Sequence, residues 1–310
     1  MPDNPVDGAG RAADPKKRAL VIGGGGAAGN AWALGLIAGL AAAGVDVTAA
    51  ELIIGTSSGS TVAAQITSRR QPGELYAAIV TETAQPQAGQ AGPGRAQGPQ
   101  FSGENYLEWS NRIIASAADA ADMRRTMGAA MLDLDKSGGS GRARWHDIVA
   151  ARLPSPHWPT QPVLITAVDA QTGDPVVFDR HSGVDLVDAV AASTSNGFGP
   201  FPPYRIGESR YIDGGYRRNE NADLAAGCGR VLVLSPFGGR SRMPHEWGMD
   251  LATQVAELRA RGSRVETLFP DSGAGVFGAN ALDPSTRLQA ARGGHDQGRA
   301  LAAQLAESWL

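Results

Sequence analysis

Cysteine and charged side chains are scarce in this 310-residue sequence, and both shortages narrow the range of functions. A single cysteine, Cys228, excludes an intramolecular disulfide and a cysteine-based zinc site, and it makes a reducing cytoplasm the natural compartment. Charged residues make up 19% of the chain and the net charge is −3, which provides no electrostatic basis for binding nucleic acid. The sequence shows no cluster of metal ligands, so we expect neither a metal nor another cofactor. Apolar residues make up 42% and indicate a substantial core.

Charge is absent altogether from Ala19 to Val45, directly after three basic residues. By its length this run could be a membrane-spanning helix or a signal peptide. The run contains five closely spaced glycines, at Gly23, Gly24, Gly25, Gly26 and Gly29. Because glycine has a low helix propensity, they would strongly destabilise a single helix here. We therefore predict a strand over residues 19–22, a loop over 23–29 and a helix over 30–43.

The rest of the chain alternates apolar runs with helical patterns, which is typical of an α/β fold with a mainly parallel sheet. The polar composition of residues 1–16 predicts a disordered tail, and residues 17–310 are predicted to form one folded domain. We predict that this domain ends in two helices, over 284–291 and 295–309. Residues 85–100 are rich in Gln, Gly and Pro and predict a flexible linker. Residues 101–135 carry Met and aromatic residues at helical spacing, so they form either a lid over an apolar site or ordinary core helices. As a lid, this region would make peripheral, transient contact with a membrane.

A Gly-x-Ser-x-Gly sequence, Gly55 to Gly59, lies between a short apolar run and a helical pattern. In such a strand–turn–helix context this motif predicts a nucleophile elbow, and its central residue, Ser57, is the candidate nucleophile. Ser58 and Ser60 are interpreted as helix-start residues. The alternative is a plain Gly/Ser turn without a catalytic role.

The glycine-rich loop from Gly24 to Gly29 also fits the Gly-x-Gly-x-x-Gly pattern of dinucleotide-binding proteins. That function needs an acidic residue at the end of the second strand, whereas Asp46 and Glu51 both precede that strand. Bare glycine amides at the start of a helix would also stabilise an oxyanion. The nearby serine motif favours the second use.

A serine nucleophile needs a proton acceptor. A Ser-Asp-His order could be built from Ser57, Asp213 and either His245 or His295, but none of the five histidines sits at a strand end with a glycine context. Asp213 ends a predicted strand and precedes two glycines, which favours it as the base. Asp-Gly is also a strong hairpin signal, and an ordinary carboxylate, with a pKa of about 3.9, is a weak base.

The three motifs, in this order, resemble those of the patatin-like phospholipases, also called patatin-like acyl hydrolases. The flanking stretches Ala189 to Pro203 and Arg217 to Leu224 resemble the family's surroundings of its aspartate. The resemblance covers roughly residues 17–83 and 160–240, and more faintly the C-terminal helices. It implies a three-layer α/β/α sandwich.

The resemblance also implies a Ser-Asp dyad without histidine. Ser57 would attack an ester carbonyl, Asp213 would accept its proton and later activate water, and the amides of Gly24, Gly25 and Gly26 would hold the oxyanion. The supporting motif residues are Gly29, Gly55, Gly59, Gly214 and Gly215. The sequence departs from the family pattern twice: Ala28 stands where Arg or Lys is usual, and the proline normally found before Phe201 is replaced within residues 193–199.

Three hypotheses about function follow. The first is a serine acyl hydrolase that acts on phospholipids, lysophospholipids or simpler acyl esters, as a lipid esterase of the phospholipase A or lysophospholipase type. The second, prompted by Ala28, is a catalytically weak protein that binds acyl lipid or a partner protein, and an acyltransferase is a further alternative. The third is a nucleotide-binding oxidoreductase.

Overall fold

An eight-stranded mixed sheet forms the centre of the chain in the computed structural model, which describes residues 13–82, 103–135, 140–196, 202–271, 277 and 281–309. Its strands are β1 (Asp14–Ile22), β2 (Leu52–Thr56), β3 (Val163–Asp169), β4 (Pro175–Phe178), β5 (Tyr204–Ile206), β6 (Ser209–Asp213), β7 (Cys228–Leu234) and β8 (Arg264–Leu268). They run in the order β5-β6-β3-β2-β1-β7-β8, and β4 also pairs with β3. β3, β2, β1, β7 and β8 are parallel, whereas β4, β5 and β6 are antiparallel to their neighbours. The predicted mainly parallel sheet is confirmed.

Helices cover both faces of this sheet and complete a three-layer α/β/α sandwich. Those described are α1 (Gly26–Ala42), α2 (Ser58–Ile66), α3 (Pro72–Glu82), α4 (Gly103–Ser116), α5 (Ala120–Leu134), α6 (Ser140–Arg152), α7 (Leu186–Ser193), α8 (Leu251–Ala260) and α9 (Arg287–Trp309). Successive residues of β1 alternate between the faces: Leu20 packs in the cluster that contains α1, α2, α7 and α9, and Val21 packs in the cluster that contains α8. The uncharged run from Ala19 onward is therefore a buried strand, a loop and a buried helix.

No helix in the described ranges is both long and apolar enough to span a bilayer.

Helices α4 and α5 form a third cluster against β3 and β6. Met123, Met127 and Met131 are fully buried there, against Val168 and Ile212. These methionines therefore belong to a core. The idea that residues 101–135 act as a lid stays a prediction, and the predicted linker at 85–100 lies outside the described residues.

The N-terminal boundary of the folded domain differs from expectation. The predicted tail over 1–16 overlaps β1, because the strand begins at Asp14, whose amide donates to the carbonyl of Gly227 at 3.0 Å. Pairing with β7 thus extends a strand that was predicted from apolar residues alone. Residues 1–12 lie outside the described part.

The prediction of two C-terminal helices is wrong. A short 3₁₀ turn, Pro284–Thr286, leads into the single helix α9 of 23 residues. Glycines within α9 permit close contact with α1: a Cβ added at Gly294 would lie 2.3 Å from the carbonyl oxygen of Trp32, and one at Gly39 of α1 would lie 2.1 Å from that of His295. Backbone contact between the helices compensates for the weak helix propensity of glycine.

Gly293 and its neighbour Gly294 provide a matched test of this contact. We expect Gly294→Ala to lower the free energy of unfolding by about 1–3 kcal/mol, because the added methyl group collides with the backbone of α1. Gly293 is exposed and an added Cβ meets nothing within 4 Å, so Gly293→Ala should raise stability by up to about 1 kcal/mol through helix propensity. Denaturant unfolding of both variants measures the difference. Equal effects would contradict close packing of α1 and α9.

Candidate active site

Ser57 occupies a sharp turn between β2 and α2. Its backbone has φ 55° and ψ −125°, and the only other non-glycine residue with positive φ in the described ranges is Asn221. A Cβ at Gly59 would lie 2.0 Å from the carbonyl oxygen of Ile22, and one at Gly55 would lie 2.6 Å from the Cα of Ser60. Only glycine at these two positions allows α2 to approach the ends of β1 and β2. The predicted strand–turn–helix is present, and its strained turn is characteristic of a nucleophile elbow.

Asp213 is the last residue of β6, which pairs with β3 through Ala167. A 3₁₀ turn, Gly214–Tyr216, follows, so Asp-Gly does not form a hairpin turn here. The Asp213 Oδ1 atom accepts a hydrogen bond of 2.8 Å from the Gly215 amide. Burial raises the pKa of Asp213 to about 6, although interactions with the Ser57 hydroxyl and the Gly215 amide oppose the rise. The carboxylate is consequently a stronger base than an exposed one.

The buried side chain of Asn221 connects the segments that carry Ser57 and Asp213. Its Nδ2 atom lies 3.0 Å from Thr56 Oγ1, 3.2 Å from Thr166 Oγ1 and 3.2 Å from the carbonyl oxygen of Gly214. Thr56 directly precedes Ser57, and Gly214 directly follows Asp213. The sequence analysis missed this contact. Asparagine tolerates positive φ better than most residues, but this preference identifies no partners.

Ser193 at the end of α7 is a second residue that sequence reasoning missed. Its Oγ atom accepts a 2.9 Å hydrogen bond from the backbone amide of Ser57. The Ser57 amide is thereby satisfied within the protein. No local sequence signal connects positions 57 and 193.

The glycine-rich loop lies beside the elbow, and its amides have different partners. The Gly24 amide donates to the carbonyl oxygen of Asn219 at 3.1 Å, and the Gly25 amide donates to Ser58 Oγ at 2.9 Å. Ser58 therefore bridges the two loops rather than capping α2. The Gly26 amide, at the start of α1, has no acceptor among the described residues.

Gly24 also brings the loop close to the nucleophile, because a Cβ at this position would lie 3.2 Å from Ser57 Cβ. Gly29 permits a second close approach, since a Cβ there would lie 3.0 Å from Pro236.

One cavity of about 560 Å³ unites these groups. Ser57, Asp213 and the glycines at 24–26 line it together with Gly215. Much of the remaining lining is apolar and comes from Leu107, Tyr216, Phe237, Met243, Met249, Phe277, Ala281 and Leu282. All five histidines are among the described residues, and none lines this cavity. The site therefore combines a serine, a carboxyl group and an apolar chamber.

A model of the family described as patatin-like phospholipase matches residues 20–226, which include all three motifs. The chain belongs to this family. Family membership supports lipid hydrolysis as the general class of activity. No match to a curated protein sequence was found.

Two solved structures of low sequence identity are similar to the chain. VipD from Legionella pneumophila is 13% identical with a TM-score of 0.44, and 94% of this chain aligns with 68% of that one. The type III effector protein ExoU is 16% identical with a TM-score of 0.40, and 94% of this chain aligns with 54% of that one.

Ala28, the first departure from the family pattern, is fully buried in the first turn of α1. Its amide donates to the carbonyl oxygen of Ala281 at 3.0 Å. The second departure, within residues 193–199, partly falls outside the described residues, which stop at Asn196 and resume at Pro202.

Because the pKa of Asp213 is raised in the folded chain, the protein should lose stability as the pH rises. Its pKa is about 6 in the folded chain against 3.8 for an ordinary aspartate, so the folded state holds the proton more tightly. This contribution to stability is fully present below pH 3.8 and is lost as the pH rises through about 6. We expect the free energy of unfolding of Asp213→Asn, relative to that of wild type, to rise by up to about 3 kcal/mol between pH 4 and pH 7. Denaturant unfolding at both pH values measures this gain, and a difference independent of pH would contradict it.

Proposed function

We propose that this protein is a serine acyl hydrolase in which Ser57 and Asp213 form a catalytic dyad. The proposal rests on one observation: the strained Ser57 elbow and the buried carboxyl group of Asp213 line the same largely apolar cavity, and no histidine lines it. Acyl esters of lipids are the substrate class, and the reaction is the phospholipase A, lysophospholipase or lipid esterase type. Family membership supports the same assignment.

In the first half of the reaction, Ser57 Oγ attacks the ester carbonyl carbon while its proton passes to Asp213. The tetrahedral intermediate collapses when the alcohol leaves, and Asp213 returns the proton to the leaving oxygen. This produces an acyl-Ser57 ester. In the second half, Asp213 takes a proton from water, the hydroxide oxygen attacks the acyl carbon, and Ser57 regains its proton as the carboxylic acid departs.

The negative oxygen of both intermediates needs hydrogen-bond donors, and the glycine-rich loop provides them. We assign this task first to the amide of Gly26, which has no acceptor among the described residues. The amide of Gly25 donates to the Ser58 hydroxyl, and it becomes the second donor when the oxyanion replaces that hydroxyl as its acceptor. Gly24, whose amide is bonded to Asn219, instead contributes the close approach to Ser57. The dipole of α1 adds to the stabilisation.

The apolar lining of the cavity suits an acyl chain. Tyr106 and Leu107 extend this lining from α4, so the helical segment after residue 102 contributes to the chamber. Peripheral contact of this segment with a lipid surface is part of the proposal, because long acyl chains must leave a bilayer to reach Ser57.

A fluorophosphonate probe tests the nucleophile. Wild type should be labelled covalently, and Ser57→Ala should show no labelling and no ester hydrolysis. Ser60→Ala is a matched control, because Ser60 lies one turn further along α2 and its hydroxyl donates to the carbonyl oxygen of Ser57. It should still be labelled. Failure to label folded wild type would refute the hydrolase and favour a lipid-binding protein.

The pH dependence of hydrolysis tests the base. Because Asp213 accepts a proton only when ionised, kcat/KM for an uncharged ester should rise with pH around an apparent pKa of about 6. Below that pH it should fall about tenfold per unit. Asp213→Asn should lower kcat by about 10²–10⁴-fold and remove this inflection. An unchanged profile in the variant would exclude Asp213 as the base.

A further inference from the structure

Three arginines line the Ser57 cavity, and they differ in how their charge is balanced. Arg218 pairs with Glu257 at 2.7 Å and with Asp223 at 3.3 Å, so its charge is compensated. Arg240 and Arg242, on the loop after β7, form no ion pair with any carboxylate among the described residues. The wall of the Ser57 cavity thus carries two guanidinium groups that pair with no carboxylate among the described residues.

Arg242 is held in place by neutral groups. Its Nη1 atom donates to Ser110 Oγ at 2.9 Å and to Asn111 Oδ1 at 2.8 Å, and its guanidinium lies 5.8 Å from the centre of the Tyr106 ring. Burial raises the pKa of Tyr106 and of Tyr216, and the charge of Arg242 opposes both shifts. The guanidinium is therefore oriented in advance and acts on the interior of the cavity.

Arg240 extends from a tight turn that is anchored to the core. Gly238 and Gly239 both have positive φ, and the Gly239 amide donates to Ser235 Oγ at 2.9 Å. Ser235 in turn donates to the buried carboxyl group of Glu220 at 2.7 Å. Arg240 Nε donates to the carbonyl oxygen of Phe237, while its two Nη groups have no acceptor among the described residues. Donors are thus available for a ligand.

We propose that Arg240 and Arg242 form an anion subsite that selects acyl esters bearing a phosphate group. Two guanidinium groups present planar donor pairs that match phosphate oxygens. The apolar lining receives the acyl chain, Ser57 receives the ester, and the arginine pair receives the phosphate of the same molecule. This inference rests on the proposed hydrolase function and specifies its substrate class.

The test compares two substrates with one acyl chain: an uncharged monoacylglycerol and the corresponding acylglycerol phosphate. Wild type should prefer the phosphate ester in kcat/KM. Arg240→Gln and Arg242→Gln should each lower the ratio of phosphate to uncharged ester by about tenfold, mainly through KM. Arg240→Lys and Arg242→Lys should restore part of the ratio because they keep the charge. Arg70→Gln, which removes an exposed charge outside the cavity, should leave the ratio at its wild-type value.

The subsite hypothesis would be overturned if neither glutamine variant changed the ratio of kcat/KM for the two esters. It would also be overturned if Arg70→Gln lowered that ratio as much as Arg240→Gln or Arg242→Gln. Inhibition of uncharged-ester hydrolysis by inorganic phosphate distinguishes the source of the anion. Phosphate inhibition that weakens in the variants, together with a reduced ratio, supports the subsite as a substrate site. Phosphate inhibition with an unchanged ratio overturns that assignment and indicates a site for free phosphate. Failure of the proposed function is distinguishable, because wild type would then hydrolyse neither ester and would not react with the fluorophosphonate.

Discussion

The buried amide of Asn221 is the contact on which the geometry of the site depends. Its two N–H groups share four acceptors, which are Thr56 Oγ1, Thr166 Oγ1 and the carbonyl oxygens of Gly214 and Arg218. The amide thus lies between the segment that carries Ser57 and the segment that carries Asp213. Thr166 Oγ1 also donates to Thr56 Oγ1 at 2.9 Å, and no buried side-chain polar atom among the described residues lacks a partner. A fully satisfied buried network of this kind is rigid, because breaking one bond leaves a desolvated group unpaired. The strain at Ser57 is maintained by this surrounding structure.

Burial affects the carboxyl group of Asp213 in two opposite ways. It makes the ionised form costly in the folded chain, and for the same reason it raises the affinity of the carboxylate for the serine proton. A base without a histidine partner needs this increase in proton affinity. Stability and basicity are therefore coupled through one environment, and the hydrogen bond from the Gly215 amide keeps the carboxyl group oriented.

Glycine allows the close approaches on which both the fold and the site are built. At Gly59 and Gly55 it lets α2 start immediately beside the sheet, and at Gly294 and Gly39 it lets α9 lie against α1. In each case the nearest atoms are backbone atoms, so no rearrangement of side chains could accommodate a larger residue. The α1–α9 contact also supports the glycine-rich loop, because α1 begins at Gly26 within that loop.

The sequence by itself determined the local features: the strand–loop–helix after Ala19, the elbow around Ser57, the strand that ends at Asp213 and the α/β class with a mainly parallel sheet. These follow from neighbouring residues, through apolar periodicity and the backbone freedom of glycine. Only the tertiary structure decided which loop amides are already bonded, that Asn221 and Ser193 hold the site, and that Arg240 and Arg242 reach the cavity. Asn221 and Thr56 are separated by 165 positions, and Ser57 and Ser193 by 136. Contacts over such separations depend on how the strands are ordered in the sheet, and no local pattern encodes that order.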